Sequence, residues 1–290
     1  LSPLLVDFIA LYLYVLKLSV PLTAILICIS ALDDLSIDAL YCLGRLKQGS
    51  KTSTTEVITS ANDIPPTLQR PIAVMVPAWN EESVIAPMLE TFITTARYQN
   101  YHIFVGTYPN DPATTAQIKA LMTRNERARA RITIVSADQN GPTSKGQCLN
   151  KIYNFITRNE KEGDGANRLY VLHDAEDVAH PKEMWVFNHF SKYYAMVQLP
   201  VHPYFRAGFD PIGGHYADEF AEAHGRDLPV RMHLTNGVPS AGVACAFTDE
   251  ALRAIAKIRG SGPFNENSIT EDYDLALTIL NQGFNLGLKW

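Results

Sequence analysis

From Ile72 onward, short apolar runs alternate with helical segments, and this alternation restricts the fold more than any other feature. Ile72–Val76, His102–Thr107, Ile132–Ser136 and Leu169–His173 read as strands. Each leads into a stretch of helical periodicity: Glu82–Ala96, Ala113–Arg124, Lys145–Thr157 and Lys182–Tyr194. Such alternation predicts an α/β fold, with a mostly parallel sheet covered by helices on both faces. Met196–Val201 adds a strand, and beyond it the pattern loosens. Gly208–Gly214 reads as a turn, Tyr216–His224 as a helix and Gly237–Gly242 as a small-residue loop. Val243–Thr248 reads as a strand, Asp249–Lys257 and Thr270–Asn281 as helices, and Asn285–Trp290 as a final strand. Glu160–Asn167, polar with two glycines, reads as a surface loop.

The N-terminal part is different. Phe8–Leu32 is almost wholly apolar, with Lys17 its one charge and Pro21 its one helix breaker. The run exceeds the roughly 20 residues that cross a hydrocarbon core. A cleaved signal peptide would want a basic start and a small-residue cleavage site, whereas Asp7 precedes this run and Asp33-Asp34 follows it. A buried core helix would be polar on one face, and this run is apolar on every face, so a membrane span is the preferred reading. Arg45, Lys47 and Lys51 follow it, and a basic flank puts what comes next on the cytoplasmic side. Ser50–Pro66 is a polar, Pro-containing linker. The expected organisation is therefore 1–48 membrane segment and juxtamembrane helix, 49–69 linker, and 70–290 soluble domain. Leu1 in place of Met, and a last strand that stops abruptly, predict a piece of a longer protein.

Across its 290 residues the chain is 47% apolar and carries a net charge of −5. There is no basic footprint for nucleic acid, and an anionic ligand has to be held locally, through a metal or individual Lys and Arg residues. Cys28, Cys42, Cys148 and Cys245 show no C-x-x-C spacing, which excludes a zinc or disulfide framework and fits reduced, buried thiols.

The chemistry-bearing residues fall where strands end, which is where open α/β sheets bind ligands. Val76–Glu82 follows the first strand. Pro77 fixes the turn, Trp79 can flank a base, and Glu81 can accept from a nucleobase or ribose. The competing reading is a helix start, with Asn80 as cap and acids in the first turn. Asp111 ends the second strand, either beside a uracil or ribose or as the cap of the next helix. Lys145 opens a helix and can meet a phosphate there, without the glycine spacing of a Walker A loop. In Asp174-Ala175-Glu176-Asp177 an extended backbone would point Asp174 and Glu176 to one side, where two carboxylates can hold Mg2+ or Mn2+ against a diphosphate. Asp177 points elsewhere, and His173 and His180 read as structural. Thr270-Glu271-Asp272 offers Asp272 as a general base, or Thr270 as a cap with acids in the first turn.

In their order, the membrane segment, Val76–Glu82, Asp111, Lys145-Gly146, Asp174–Asp177, Gln198-Leu199-Pro200-Val201 and Thr270-Glu271-Asp272 resemble family 2 glycosyltransferases of the cellulose-synthase-like membrane branch. Leu32-Asp33-Asp34 and Tyr108–Asp111 bring the chain nearest to the bacteriophage N4 adsorption protein B group. The resemblance implies a GT-A fold, a nucleotide-sugar donor (often UDP-linked), Mg2+ or Mn2+, and inversion at the anomeric carbon. It assigns the nucleotide to Asp111, the D-x-D role to Asp174 and Glu176, with Glu replacing the usual second Asp, and the base to Asp272. It further implies a polysaccharide acceptor, the inner membrane of a bacterium with the domain in the cytoplasm, and an outer-membrane or export protein as partner. The Q-x-x-R-W motif of processive members is not found. Two other readings remain: a non-catalytic membrane receptor or scaffold that keeps the fold, and a sugar nucleotidyltransferase. The latter would want a glycine-rich loop where Val76–Glu82 has no glycine.

Overall fold

A computed structural model of the chain describes residues 3–48, 69–160, 167–203, 210–235 and 237–289. Most of the expected linker (49–68), most of the expected surface loop (161–166), Gly208 and Phe209 of the expected turn and Trp290 of the expected last strand lie outside these residues. The chain divides into two compact units, Leu1–Lys51 and Thr52–Trp290.

The first unit holds one helix, α1 (Pro3–Gln48), with Pro21 inside it. Leu11, Tyr14, Val20, Leu26 and Leu32 are all more than half exposed, so its apolar surface is not confined to one face. Pro3–Gly44 is long and apolar enough to cross a membrane by length and composition, with a mean hydropathy of 2.2 over its most apolar 18 residues. At 46 residues the helix is about 69 Å long, so only part of it is needed for a core about 30 Å thick.

The second unit is built on a seven-stranded sheet. Its strands are β1 (Ile72–Pro77), β2 (Tyr101–Thr107), β3 (Ile132–Ser136), β4 (Leu169–Leu172), β5 (Met196–Gln198), β6 (Cys245–Thr248) and β7 (Leu286–Leu288). They lie in the order β3-β2-β1-β4-β6-β5-β7. The first four pair in parallel, as do β5 and β7. Only β6 runs against its neighbours, β4 and β5. The described helices of this unit are α2 (Ile85–Thr95), α3 (Pro112–Arg124), α4 (Glu126–Arg131), α5 (Lys145–Arg158), α6 (Glu183–Phe190), α7 (Pro211–Glu222), α8 (Leu228–Thr235), α9 (Asp249–Arg259) and α10 (Glu271–Asn281).

Successive strand residues face opposite sides of a sheet, and here both sides are covered. Ile72, Val74 and Val76 of β1 pack with Leu89 and Phe92 of α2, Ile118 of α3 and Phe187 of α6. Ala73 and Met75 face Leu149 and Ile152 of α5, Leu252 of α9 and Leu275 of α10. That double burial explains why β1 and β4 read as continuous apolar runs.

Several expected boundaries change for local reasons. Helix α2 begins at Ile85, not Glu82, because residues 81–84 form a turn closed by Ile85 N–H donating to the Glu81 carbonyl at 3.0 Å. Gly213 and Gly214 belong to a helix, not to a turn. Asp210 caps α7 by accepting from the Gly213 N–H, and Pro211 takes the first helical position, where its missing N–H costs nothing. The helix then passes through a π-helical segment, Ala223–Asp227, into α8. Helix α4, unexpected from the sequence, is capped by the Asn125 side chain on two N–H groups and buries only Ala128. Strand β5 stops at Gln198, two residues before Pro200.

Helix α5 approaches β2 closely at Gly106. A Cβ there would lie 2.5 Å from the Cys148 sulfur and 3.0 Å from the Ile152 side chain. Gly106→Ala is therefore expected to cost about 1–3 kcal/mol through overpacking, with Cys148→Ala in the same chain restoring part of it. Chemical denaturation of the two variants measures this.

Candidate active site

Strand β4 lies on the opposite side of β1 from β2 and β3, so the chain reverses its winding direction between β1 and β4. A crevice opens at the carboxyl ends of two such strands. Met75 and Leu172 are register partners, which brings the loops after Pro77 and Leu172 side by side. Because β6 is antiparallel to β4, its first residue, Cys245, pairs with Leu172. The loop entering β6 thus reaches the same crevice, as does Gln198, the last residue of β5.

The cleft there has a volume of about 270 Å³. Pro77, Glu81, Lys145, Asp174 and Glu176, all expected from the sequence, line it. Trp79, Tyr108 and Thr143 complete one wall. Trp79 and Tyr108 meet edge to face at 5.2 Å, and the Tyr108 hydroxyl shares a 2.6 Å hydrogen bond with Thr143. Asn110 ties this wall to the Gly141 backbone through two 2.8 Å bonds, one to its carbonyl and one from its N–H.

Asp174 and Glu176 reach the cleft from a turn rather than from extended backbone, with the Asp177 N–H donating to the Asp174 carbonyl at 3.3 Å. The turn is fixed from behind. The Asp177 carboxylate accepts from the Asp174 N–H at 2.9 Å and bonds His173 Nδ1 at 3.0 Å. His173 Nε2 lies 2.8 Å from the buried Glu183 carboxylate. Burial works against a charge on His173, but Glu183 and Asp177 outweigh it and push its pKa up to about 10. The ring is an imidazolium between two carboxylates.

Asp111 serves the loop after β1 from beneath. Its carboxylate caps α3 through the Thr114 N–H and also accepts from Asn80 N–H at 2.7 Å. Burial raises its pKa, but bonds from Thr114 and Asn80 prevail and hold it below the usual value. Asn80, at a φ of 61°, is held by this bond and caps no helix. Thr114 Oγ accepts the Glu81 N–H at 2.9 Å. Burial, then the charges of Glu176 and Asp174, then Asp111, raise the pKa of Glu81.

Lys145 stands where the acidic segments meet. Its Nζ is 2.5 Å from Asp174 Oδ1 and 3.4 Å from the Gly242 carbonyl. Burial disfavours its charge, but Asp174 and then Glu271 and Asp272 more than compensate, so its pKa is raised. Asp272, in the first turn of α10, lies beyond the cleft lining. Its Oδ2 is 2.7 Å, and Lys145 Nζ 3.4 Å, from where a Gly242 Cβ would sit. Thr270 precedes α10 but makes no side-chain cap bond.

The small-residue loop read from the sequence, Gly237–Gly242, runs up against Asp272 at Gly242. Gly242 has a φ of 76° and Ala244 one of 48°, a conformation costly for alanine. Fully buried Gln198 holds this loop, donating to the Val243 and Ala244 carbonyls and accepting the Ala241 N–H. The Gln-Leu-Pro-Val run and the small-residue loop were visible in the sequence, but their mutual contact was not.

A divalent cation fits the donor set in one form. Among the described residues no group of three or more His, Cys, Asp or Glu side chains is placed to hold a metal. Mg2+, however, is usually bound by one or two carboxylates plus substrate phosphates, and Asp174 and Glu176 line the same cleft.

Residues 69–286 match the family described as Glycosyltransferase like family 2. The chain belongs to that family. This glycosyltransferase chain is 39% identical over 279 residues to bacteriophage adsorption protein B of Escherichia coli (strain K12), and equally to bacteriophage N4 adsorption protein B of Escherichia coli O157:H7. The match covers 96% of this chain but 37% of the length of those curated relatives. In fold it resembles the mannosyltransferase PcManGT from Pyrobaculum calidifontis, solved with GDP-Man and Mn2+. That match has a TM-score of 0.53, 15% identity, and covers 87% of this chain and 63% of that one. The glycosyltransferase domain has the GT-A fold: a mostly parallel mixed sheet with helices on both faces.

Replacing His173 by Gln removes the cation between Asp177 and Glu183, and breaking such a buried pair costs about 3–5 kcal/mol. The wild-type His is protonated more readily folded than unfolded, so its contribution is complete below its ordinary pKa near 6.5 and fades as pH climbs through about 10. The melting-temperature gap between wild type and His173→Gln is expected to be widest at pH 6 and to close toward pH 10.

Proposed function

We propose that this domain transfers a sugar from a nucleoside diphosphate sugar, UDP-linked, to an acceptor hydroxyl with inversion. The observation that carries the reading is the meeting of two acidic segments on either side of Lys145, at the carboxyl ends of β1 and β4. A protein of the same fold binds GDP-Man and Mn2+, which supports a nucleotide-sugar donor.

In this reading the Trp79–Tyr108 wall flanks the base, and Pro77 and Glu81 border the nucleoside. Asp111 acts on the nucleotide through the Asn80 backbone that it holds. Asp174 and Glu176 would hold Mg2+ or Mn2+ together with diphosphate oxygens, and the cation would offset charge on the departing diphosphate. Lys145, at the start of α5, adds a positive charge on the diphosphate side. Asp272 takes the proton of the acceptor hydroxyl as its oxygen bonds to the anomeric carbon. The bond from that carbon to the diphosphate breaks in the same in-line step, and the nucleoside diphosphate leaves with the electron pair. Gly242 and its Gln198-clamped loop border the acceptor side.

The acceptor is a growing exopolysaccharide, met at the cytoplasmic face of a bacterial inner membrane that α1 crosses, with an outer-membrane or export protein as partner. The apolar length of α1 supports a place at a membrane. The relatives' name would also suit a phage receptor that keeps the fold without catalysis. A cleft in which burial and the charges of Glu176 and Asp174 work against ionised Glu81 favours catalysis, since a receptor gains nothing from that cost.

The decisive measurement is calorimetric titration of UDP into the whole chain in detergent, with Mn2+ and with EDTA. GDP and ADP serve as comparisons. Binding is expected with Mn2+ and lost in Asp174→Ala. Asp272→Asn should keep binding and lose about 10²–10⁴-fold in nucleoside diphosphate release from a panel of donor sugars. No nucleotide binding by a folded protein would favour the receptor, and full turnover in Asp272→Asn would remove the base assignment.

A further inference from the structure

Lys145 does more in this cleft than mark a phosphate position. Its Nζ sits on Asp174 Oδ1 at 2.5 Å, with the two side chains 30% and 35% exposed. That oxygen belongs to the side chain most needed by a divalent cation. An ammonium and a divalent cation a few ångströms apart on one carboxylate repel strongly where water is partly excluded. The ammonium has somewhere else to go. It already reaches the Gly242 carbonyl at 3.4 Å, and Asp272 and Glu271 attract it from the far side. Asp174 thus has two possible counterions, and Lys145 has anionic neighbours besides Asp174 in Glu271 and Asp272.

We propose that Lys145 is an exchangeable counterion: it occupies Asp174 while the cleft lacks a donor, and yields that oxygen only when a divalent cation arrives with a nucleoside diphosphate. The inference rests on the donor-site reading above and adds the order of events to it. Alone, the cation must displace an ammonium without compensation. With the diphosphate present, the released ammonium gains phosphate oxygens as well as the Asp272 side, so cation and nucleotide assist each other's binding. Such mutual assistance is a coupling free energy, and it is reciprocal. It also keeps metal off the site until substrate is there.

The test is direct Mn2+ binding to the whole chain in detergent, read from the loss of the free-ion electron paramagnetic resonance signal, with and without UDP. In wild type, UDP should tighten Mn2+ binding at least about fivefold. Lys145→Met, neutral and of similar length, should bind Mn2+ tighter than wild type without UDP, and the factor by which UDP tightens Mn2+ should be smaller than in wild type, the remainder coming from diphosphate oxygens on the cation. Lys145→Arg, which keeps the charge, should behave as wild type and shows that the Met variant's change is not a folding defect. If Lys145→Met binds Mn2+ no tighter than wild type while Asp174→Asn abolishes binding, the exchange is wrong and the metal-donor site stands. If Mn2+ binds neither wild type nor variant, with or without UDP, both the exchange and the metal site fall.

Discussion

Everything at the cleft depends on the two edges of β4. One edge pairs in parallel with β1 and the other antiparallel with β6. A parallel neighbour delivers its carboxyl end to the crevice, and an antiparallel neighbour delivers its amino end. The loops after β1 and β4 and the loop before β6 therefore meet at one place, although they lie far apart in sequence. Had β6 run parallel, Gly242 would lie at the other end of the sheet, remote from Lys145. The four-residue strand can hold this position because Leu169, Tyr170, Val171 and Leu172 are essentially buried on both faces.

The electrostatics follow from that convergence. Glu81 meets Asp174 and Glu176 from a second loop, and its burial together with their charges raises its proton affinity. Such crowding is unfavourable unless something holds the loops in place. Behind the Asp174–Asp177 turn, the His173 imidazolium satisfies two carboxylates and lets Asp177 accept the Asp174 N–H. The charges behind the turn are paired with one another, while Asp174, paired with Lys145, and the carboxylates of Glu81 and Glu176 face the cleft. That division is what separates a supporting network from a binding surface.

Much of the sheet was legible in the sequence because burial on both faces leaves apolar runs of strand length. Ile132–Ser136 has the bounds the sequence suggested, and the Lys145 helix starts where expected, since Ser144 is a good cap and here accepts from the Gln147 N–H. The direction of β6 was not legible, because a strand's own residues carry no signal for parallel or antiparallel pairing. Helix α4 was missed for another reason: with Ala128 alone buried, it has no apolar period, and its cap does most of the local work. At Asp174–Asp177 the alternation argument reached the right convergence through the wrong backbone, since a turn and not an extended end brings both carboxylates to the cleft. Of the two readings open for Asp111, the structure shows the helix cap. Its second oxygen shapes the loop that borders the cleft.

The loop before β6 shows where fold and site trade against each other. Ala244 adopts a left-handed conformation that a non-glycine residue takes only at a cost of about 1–3 kcal/mol. Gln198 imposes it, with every polar atom of its buried amide committed to this loop or its own strand end. What the strain secures is the position of Gly242, whose bare Cα lets the Asp272 carboxylate approach and whose carbonyl meets Lys145. Any side chain there would fill the space between base candidate and cation. A buried glutamine at the end of one strand thus fixes a gap, not a contact, and Asp272 and Lys145 both border that gap.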